Sequence, residues 1–438
     1  MKTTASRYLG TLLLALVLAT GGSACGGDKS DAPGATAATE PGTPSAAPAE
    51  PSLKAGPGVD VATKTIRLGV LNDESGPAAT IGKPYAVGKR IVAALTNAGG
   101  SGLLPEGWKV ELVEKDHGYN PQKSVQSYNE IKDDVLLIVQ SFGTPNTLPL
   151  RPMLARDNMI ALPASLSSEM AKDKLTIPAG PSYEVEAMRA MDYAVAEVEK
   201  AGKAKDTIAA CIVYQKDDYG EDGHRGWNAA AQKHGVKVVS EQTVTPGQRD
   251  FAAIVTALKT AKCTHVLLTV LPSASGPLLG TAAQLQVKAA WIGQTPTWVD
   301  AFFKPDVIPP AVFANYSWVT GLPYWGENVP GMPKFLEAYE KYGKQLSPPD
   351  FYILMSYTQG VMALEIIKRA IEAGDVTREG LLAQVPKVDA FDAQGLLQPI
   401  SLTKLPYVTS TKTRVLKPDF EKKTWTQVAD WAAPAALQ

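Results

Sequence analysis

From Thr65 onward one pattern constrains the fold more than any other feature of the chain: a short apolar run, a turn of Gly, Ser, Thr or Asp, a stretch of helical period, and then the same again. The runs TIRLGVLN, WKVELVEKD, VLLIVQ and MIALPA predict strands, and the periodic stretches between them predict helices over about 82–97, 121–134 and 150–157. Gly99-Gly100 stops the first of these helices. The alternation then restarts, with strands at DTIAACIVY, GVKVVSEQ, THVLLTV and KAAWIG and helices over about 221–234, 250–261 and 276–286. Strand and helix in alternation require a parallel sheet covered on both faces, since each parallel return needs a helical crossover. Two runs of the pattern therefore predict an α/β chain with two doubly wound parallel-sheet lobes.

The chain after Ala311 does not begin a third lobe. AVFANYSWV leads into helical periods over about 332–342, 352–373 and 378–384, followed by candidate strands QPISL, TRVLKP and TWTQVADW. This region is too short and too helix-rich for another sheet domain, so it is expected to complete the first two, with the chain crossing between lobes more than once.

Before the alternation stands a different kind of segment. Lys2 and Arg7 precede an apolar run, Tyr8–Thr20, that is shorter than the ~20 residues of a spanning helix and ends in small residues, the pattern of a signal peptide over 1–25. Its end, Gly22-Ser-Ala-Cys25, resembles a bacterial lipobox with Gly22 where Leu is usual, which makes Cys25 the candidate for lipidation. Residues 26–62 are dominated by Gly, Ala, Pro, Ser and Thr, too little apolar surface to offset chain entropy, and are expected to form a disordered tether. Residues 433–438 are read as a tail.

With Cys25 assigned to lipid, Cys211 and Cys263 remain, and either a disulfide or two buried thiols fits an exported protein. The formal net charge of -1 is spread without a basic stripe, which argues against a nucleic-acid partner. Enzyme templates fail as well. Gly76–Lys83 places five residues between its glycines where a phosphate loop has four, and Pro84 stands where the Mg²⁺-binding hydroxyl belongs. There is no dinucleotide fingerprint or nucleophile elbow, and His117, His224, His234 and His265 show no metal-ligand spacing. No catalytic set, metal or cofactor is expected.

In open parallel sheets a ligand sits beyond the carboxyl ends of the strands. Four strand-to-helix corners stand there: Asn72–Pro77, Phe142–Pro145, Ala164–Ser168 and Lys216–Gly220. In the second, Gly143 permits close backbone approach, Thr144 is a good N-cap, and Pro145 suits a first helical turn, so the corner reads either as a carboxylate site or as a plain capped helix. Pro149 and Pro152 interrupt that helix. Ser165, Ser167 and Ser168 repeat the polar corner one strand later.

The ordered set IRLGVLNDESGP, VLLIVQSFGTPNTLP, IALPASLSSEM and CIVYQKDDYGEDG, behind a signal segment, resembles the type I periplasmic substrate-binding proteins, in particular the branched-chain amino acid group of ABC importers. The resemblance covers about 63–432. It implies two lobes joined by a three-stranded hinge, with 63–181 plus 321–397 in the first and 182–320 plus 398–432 in the second. It further implies a monomeric receptor outside the cytoplasm, periplasmic or at the cell surface and held to the membrane by its lipid. Such a receptor passes a small carboxylate-bearing ligand to an ABC permease; a sensory module of the same fold is the alternative.

Matched by motif, the family's ligand contacts fall on Ile81, Gly143, Thr144, Ala164, Ser165 and Leu166 of the first lobe and Tyr219, Pro272 and Thr295 of the second. Phe142, Trp298 and Trp318 are candidates for an apolar wall. Amino-acid binders of the group carry an acidic residue at the Thr295 position to hold the ligand's ammonium. Its absence here leaves Asp73 and Glu74 as candidate substitutes, or else a ligand without an ammonium, such as an aromatic or aliphatic acid.

Overall fold

The computed structural model describes residues 53–438, so the expected signal segment, Cys25 and most of the tether lie outside it. Folded chain begins earlier than residue 63: β1 (Lys54–Ala55) pairs with residues 375–376, and β2 (Val59–Asp60) lies antiparallel to the strand that follows. Backbone pairing there orders a segment whose composition alone reads as tether.

The first alternation gives β3 (Thr65–Asn72), α1 (Ala79–Asn97), β4 (Lys109–Asp116), α2 (Pro121–Ile131), β5 (Ile138–Phe142), α3 (Thr144–Thr147), α4 (Arg151–Asp157) and β6 (Ala161–Ala164). The parallel strands lie in the order β4-β3-β5-β6. Every residue of β5 is buried, as a strand covered on both faces must be.

The second gives α5 (Tyr183–Lys200), β7 (Ala209–Gln215), α6 (Asp218–His234), β8 (Lys237–Val244), α7 (Ala252–Thr260), β9 (His265–Thr269), α8 (Pro272–Gln284), β10 (Ala290–Gly293) and β11 (Tyr316–Thr320). Its parallel strands run β8-β7-β9-β10-β11, the order of the first sheet with one strand more. Cys211 of β7 and Cys263 are joined as a disulfide, S–S 1.97 Å.

The remaining chain serves both sheets. α9 (Met332–Tyr342), α10 (Phe351–Glu372), β12 (Asp375–Val376) and α11 (Arg378–Gln384) pack on the first, while β13 (Thr413–Asp419) and β14 (Thr424–Ala432) extend the second antiparallel beyond β11, with β14 at the edge. α10 and α1 approach closely at Gly88, where a Cβ would stand 2.5 Å from the Ile353 carbonyl oxygen. The chain thus passes between the sheets three times, through 165–182, 321–331 and 409–412. Arg414 ties the last two passages together by donating to the Leu322 carbonyl at 3.2 Å.

Two elements differ from expectation. α5 was not foreseen, although Ser182 caps it by accepting from the Val185 N–H at 3.2 Å and its apolar residues keep helical spacing. QPISL forms no strand, only single bridges from Ile400 to Phe391 and from Ser401 to Val408, because Pro399 has no N–H to give a ladder.

Candidate functional site

The carboxyl ends of the two sheets face one another across a partly open cavity. Each sheet contributes at its topological switch, the place where consecutive crossovers diverge and leave room for a ligand. From the first side come Ile81 and Tyr85 of α1, Tyr119 after β4, the Phe142-Gly143-Thr144 corner, and Ala164 and Leu166 at the end of β6. Tyr183 and Tyr219, which open α5 and α6, Leu271 after β9, and Thr295 and Pro296 after β10 form the opposite wall. Tyr352 and Met355 of α10 complete it.

No charged side chain lies on this wall. Its rings interlock, Tyr183 edge-on to Tyr219 with centroids 4.7 Å apart and Phe142 between Tyr85 and Tyr119 at 6.1 and 6.4 Å. Two of the wall's hydroxyls are engaged by protein: Tyr85 donates to Gln359 Oε1 at 3.1 Å, and Tyr352 shares its proton between the carbonyls of Thr295 and Trp298 at 2.8 and 2.9 Å. Gln215 of β7 donates to the Tyr119 hydroxyl at 3.2 Å, a bond that joins the two sides. The space therefore favours an apolar ligand body.

At the Phe142–Pro145 corner Gly143 has φ 87°, and a Cβ there would stand 2.7 Å from Asn146 Nδ2 and 2.8 Å from Tyr119 Cε2. The helix it opens has only four residues before a 3₁₀ turn, Leu148–Leu150, and then α4, each piece beginning at or beside a proline. The N–H groups of Asn146 and Thr147 are already bonded to the Gly143 carbonyl at 3.2 and 3.0 Å. Thr144, first in the helix, keeps an N–H with no intrahelical acceptor. The expected pull of a full helix dipole thus reduces to one N–H and one hydroxyl.

That hydroxyl is coupled to the next corner, Thr144 Oγ1 lying 2.7 Å from Ser165 Oγ. Ser165 also accepts from the Ser167 N–H at 3.2 Å and supports the wall from behind without lining it. Ser168 turns to Asp222 of α6, whose carboxylate accepts the Ser168 N–H at 2.9 Å and the Glu184 N–H at 3.2 Å.

The other candidates are placed as follows. Pro272 faces a separate surface groove with Ser273 and Gly276, while its neighbour Leu271 reaches the cavity. Trp298 is buried among Phe302, Phe303, Phe313 and Trp425, and Trp318 stands behind Thr295, its indole N–H bonded to the Gln294 carbonyl at 3.0 Å. Asp73 and Glu74 do not serve as an anchor in the cavity. The Asp73 carboxylate is taken by the N–H groups of Gly76 and Ala78, and Glu74 pairs with Arg90 at 3.1 Å.

Two ionisable groups stand one layer behind the wall, and the sequence reading had neither. Lys89 of α1 is buried, its Nζ bonded to the Ser356 carbonyl at 2.8 Å, the Ser356 hydroxyl at 3.0 Å and Gln359 Oε1 at 2.9 Å, and 5.0 Å from the centre of the Tyr85 ring. Burial drives its pKa well below the usual lysine value. Glu186 of α5 lies behind Thr295, accepting the Thr295 N–H at 3.0 Å and pairing with the Thr295 hydroxyl. Burial lifts its carboxyl to about 8, against hydrogen bonds from Thr295 and Gly321 that favour the charged form. In the sequence Glu186 looks like an ordinary first-turn acid, and the one signal for it was the unread helix.

Comparison with known proteins agrees with this fold. A family model described as periplasmic binding protein matches residues 65–406. An amino acid binding protein of Pseudomonas aeruginosa is 28% identical over 217 residues, 48% of this chain and 55% of that relative, so the chain spans about half the length of the first curated relatives it matches. A fatty acid ABC transporter substrate-binding protein from Thermomonospora curvata superposes with TM-score 0.79 at 27% identity, covering 88% of this chain and 96% of that one. A branched-chain amino acid ABC transporter protein from Thermus thermophilus with bound valine, 20% identical, shares the fold at TM-score 0.73 over 85% of this chain and 97% of its own.

Proposed function

The chain belongs to the family of periplasmic binding proteins, and on that premise we propose that it is an extracytoplasmic receptor for a small carboxylate with an apolar body, delivered to an ABC permease. The observation that supports this most is the character of the cavity: six aromatic rings and no charged side chain on the wall, with the Thr144 N–H and hydroxyl as neutral donors beside Gly143. An aromatic or aliphatic chain fills the ring-lined space, and its carboxylate meets the Thr144 N–H and hydroxyl. A cation one layer back assists an anion at a neutral corner, and Lys89 stands in that layer behind Tyr85. The likeness to both a fatty-acid and an amino-acid receptor fits an apolar acid whose amino group is not essential.

In this reading the protein acts alone as a binding subunit, without covalent chemistry, and Cys25 and the segment after it hold it to a membrane on the outer side. Small molecules released by denaturing the purified protein and identified by mass spectrometry test the ligand class. A monocarboxylic acid of modest size is expected; a sugar, nucleotide or cation in stoichiometric amount would refute it. Saturating the protein with such an acid at 100 times its dissociation constant should add about 2.7 kcal/mol to its stability.

A further inference from the structure

Thr295 lines the cavity, and an acid, Glu186, stands directly behind it. The backbone of Thr295 is fully engaged: its N–H donates to Glu186 Oε2 at 3.0 Å, and its carbonyl accepts from the Tyr352 hydroxyl at 2.8 Å and the Trp318 indole at 3.3 Å. Only the hydroxyl has a choice of direction. It contacts Glu186 Oε1 and lies 3.2 Å from the Thr320 hydroxyl, and Thr295 lines the cavity.

We infer that Glu186 sets the hydrogen-bonding sense of the Thr295 hydroxyl and thereby selects, at this end of the cavity, between a ligand with an ammonium and one without. This deepens the carboxylate-receptor reading and rests on it. An ionised Glu186 only accepts, so the Thr295 proton must point at it and the oxygen offers the cavity a lone pair, suited to an ammonium or hydroxyl donor. A protonated Glu186 donates to Thr295 Oγ1 instead, and the Thr295 proton is freed for the Thr320 hydroxyl or for a ligand acceptor that competes with it. Charge acts in the same direction, since the ionised acid repels a ligand anion and attracts a ligand cation.

Burial holds the proton on Glu186 at neutral pH, and no basic group contributes to its shift. The titratable groups that face it are phenols: Tyr183 on its own helix, Tyr219 on α6 and Tyr316 on β11. At neutral pH the wall is therefore set for an acid that lacks an amino group. Glu186 acts through Thr295 and is a positioning residue.

The test uses two probes that differ only in the ammonium, 4-methylpentanoate and leucine, titrated calorimetrically into the protein at about pH 6.5 and about pH 9. The preference for 4-methylpentanoate over leucine should fall about tenfold across this range. In Glu186→Gln, whose amide donates to Thr295 Oγ1 as the acid does, the preference should stay at its low-pH value. Thr295→Val should shrink the pH dependence to the part that the Glu186 charge alone carries, and Thr295→Ser should restore it in full. Infrared spectra of the ligand-free protein give a separate reading: a protonated-carboxyl band that disappears with rising pH in the wild type and is missing from Glu186→Gln.

A titrating band with pH-independent preference in the wild type overturns this inference alone, as does a pH dependence that survives in Glu186→Gln or stays undiminished in Thr295→Val. A band that does not titrate overturns it too. Failure of both probes, and of a panel of short aliphatic and aromatic acids, to bind the folded protein while the band titrates overturns the carboxylate reading, and the selectivity inferred here with it.

Discussion

Glu186 makes a claim on stability as well as on selectivity. Its folded pKa of about 8 lies above the ordinary 4.5, so the folded state holds more protons than the unfolded one between those values. The stability it contributes is complete below about pH 4.5 and is lost as pH rises through about 8, where the fall levels off. Thermal unfolding should therefore show the wild type losing ground to Glu186→Gln between pH 5 and 9 by roughly a few kcal/mol; parallel curves would mean the carboxyl titrates normally. Gly143 makes a sharper demand. With φ at 87° and Asn146 and Tyr119 within 2.8 Å of any added Cβ, Gly143→Ala should cost about 1–3 kcal/mol in denaturant unfolding and most of the ligand affinity. Gly143 and Thr144 were legible in the sequence because a glycine, a hydroxyl and a proline in that order after an apolar run have a local meaning. Glu186 was not, since an acid in a first helical turn looks the same whether it faces water or the back of a binding site, and only packing tells the two apart.

Among elements, the parallel strands could be read from the sequence because burial on both faces leaves an apolar run that needs no partner to be seen. β3 spans the predicted TIRLGVLN, whereas β5 begins three residues later than VLLIVQ suggests, its first residues packing before they pair. The connection from β6 to α5 was harder, because Ser168 and Glu184 are fixed by Asp222 from a helix far along the chain. Asp222→Ala would leave two N–H groups and the Ser168 hydroxyl without their acceptor, an expected loss of about 2–4 kcal/mol in chemical denaturation. The disulfide closes a separation of 52 residues between β7 and the entry to β9. Cys211→Ser with Cys263→Ser should lower stability by roughly 2–4 kcal/mol, read as a lower unfolding temperature, while leaving ligand affinity near the wild-type value because neither sulfur lines the cavity.

For the molecule as a whole, function follows from repeating one topology twice. Each sheet opens a switch point at its carboxyl end, and three passages of chain turn the two ends toward each other, so residues from 81 to 355 converge on one space. The sequence carries the repetition, since the alternation visibly restarts; it does not carry the facing of the two sheets, which depends on the passages and on cross-contacts such as Gln215 with Tyr119 and Tyr352 with Thr295. The central claim is that this space binds a small apolar carboxylate. Calorimetric titration of the wild type and of Ala164→Phe, which fills the cavity, with a panel of short aliphatic and aromatic acids and their alcohol and amine counterparts tests it most directly. The account predicts that at least one acid binds the wild type one-to-one, that its alcohol and amine do not, and that Ala164→Phe folds but no longer binds. Equal binding by Ala164→Phe, or preference for the uncharged counterparts, would contradict it.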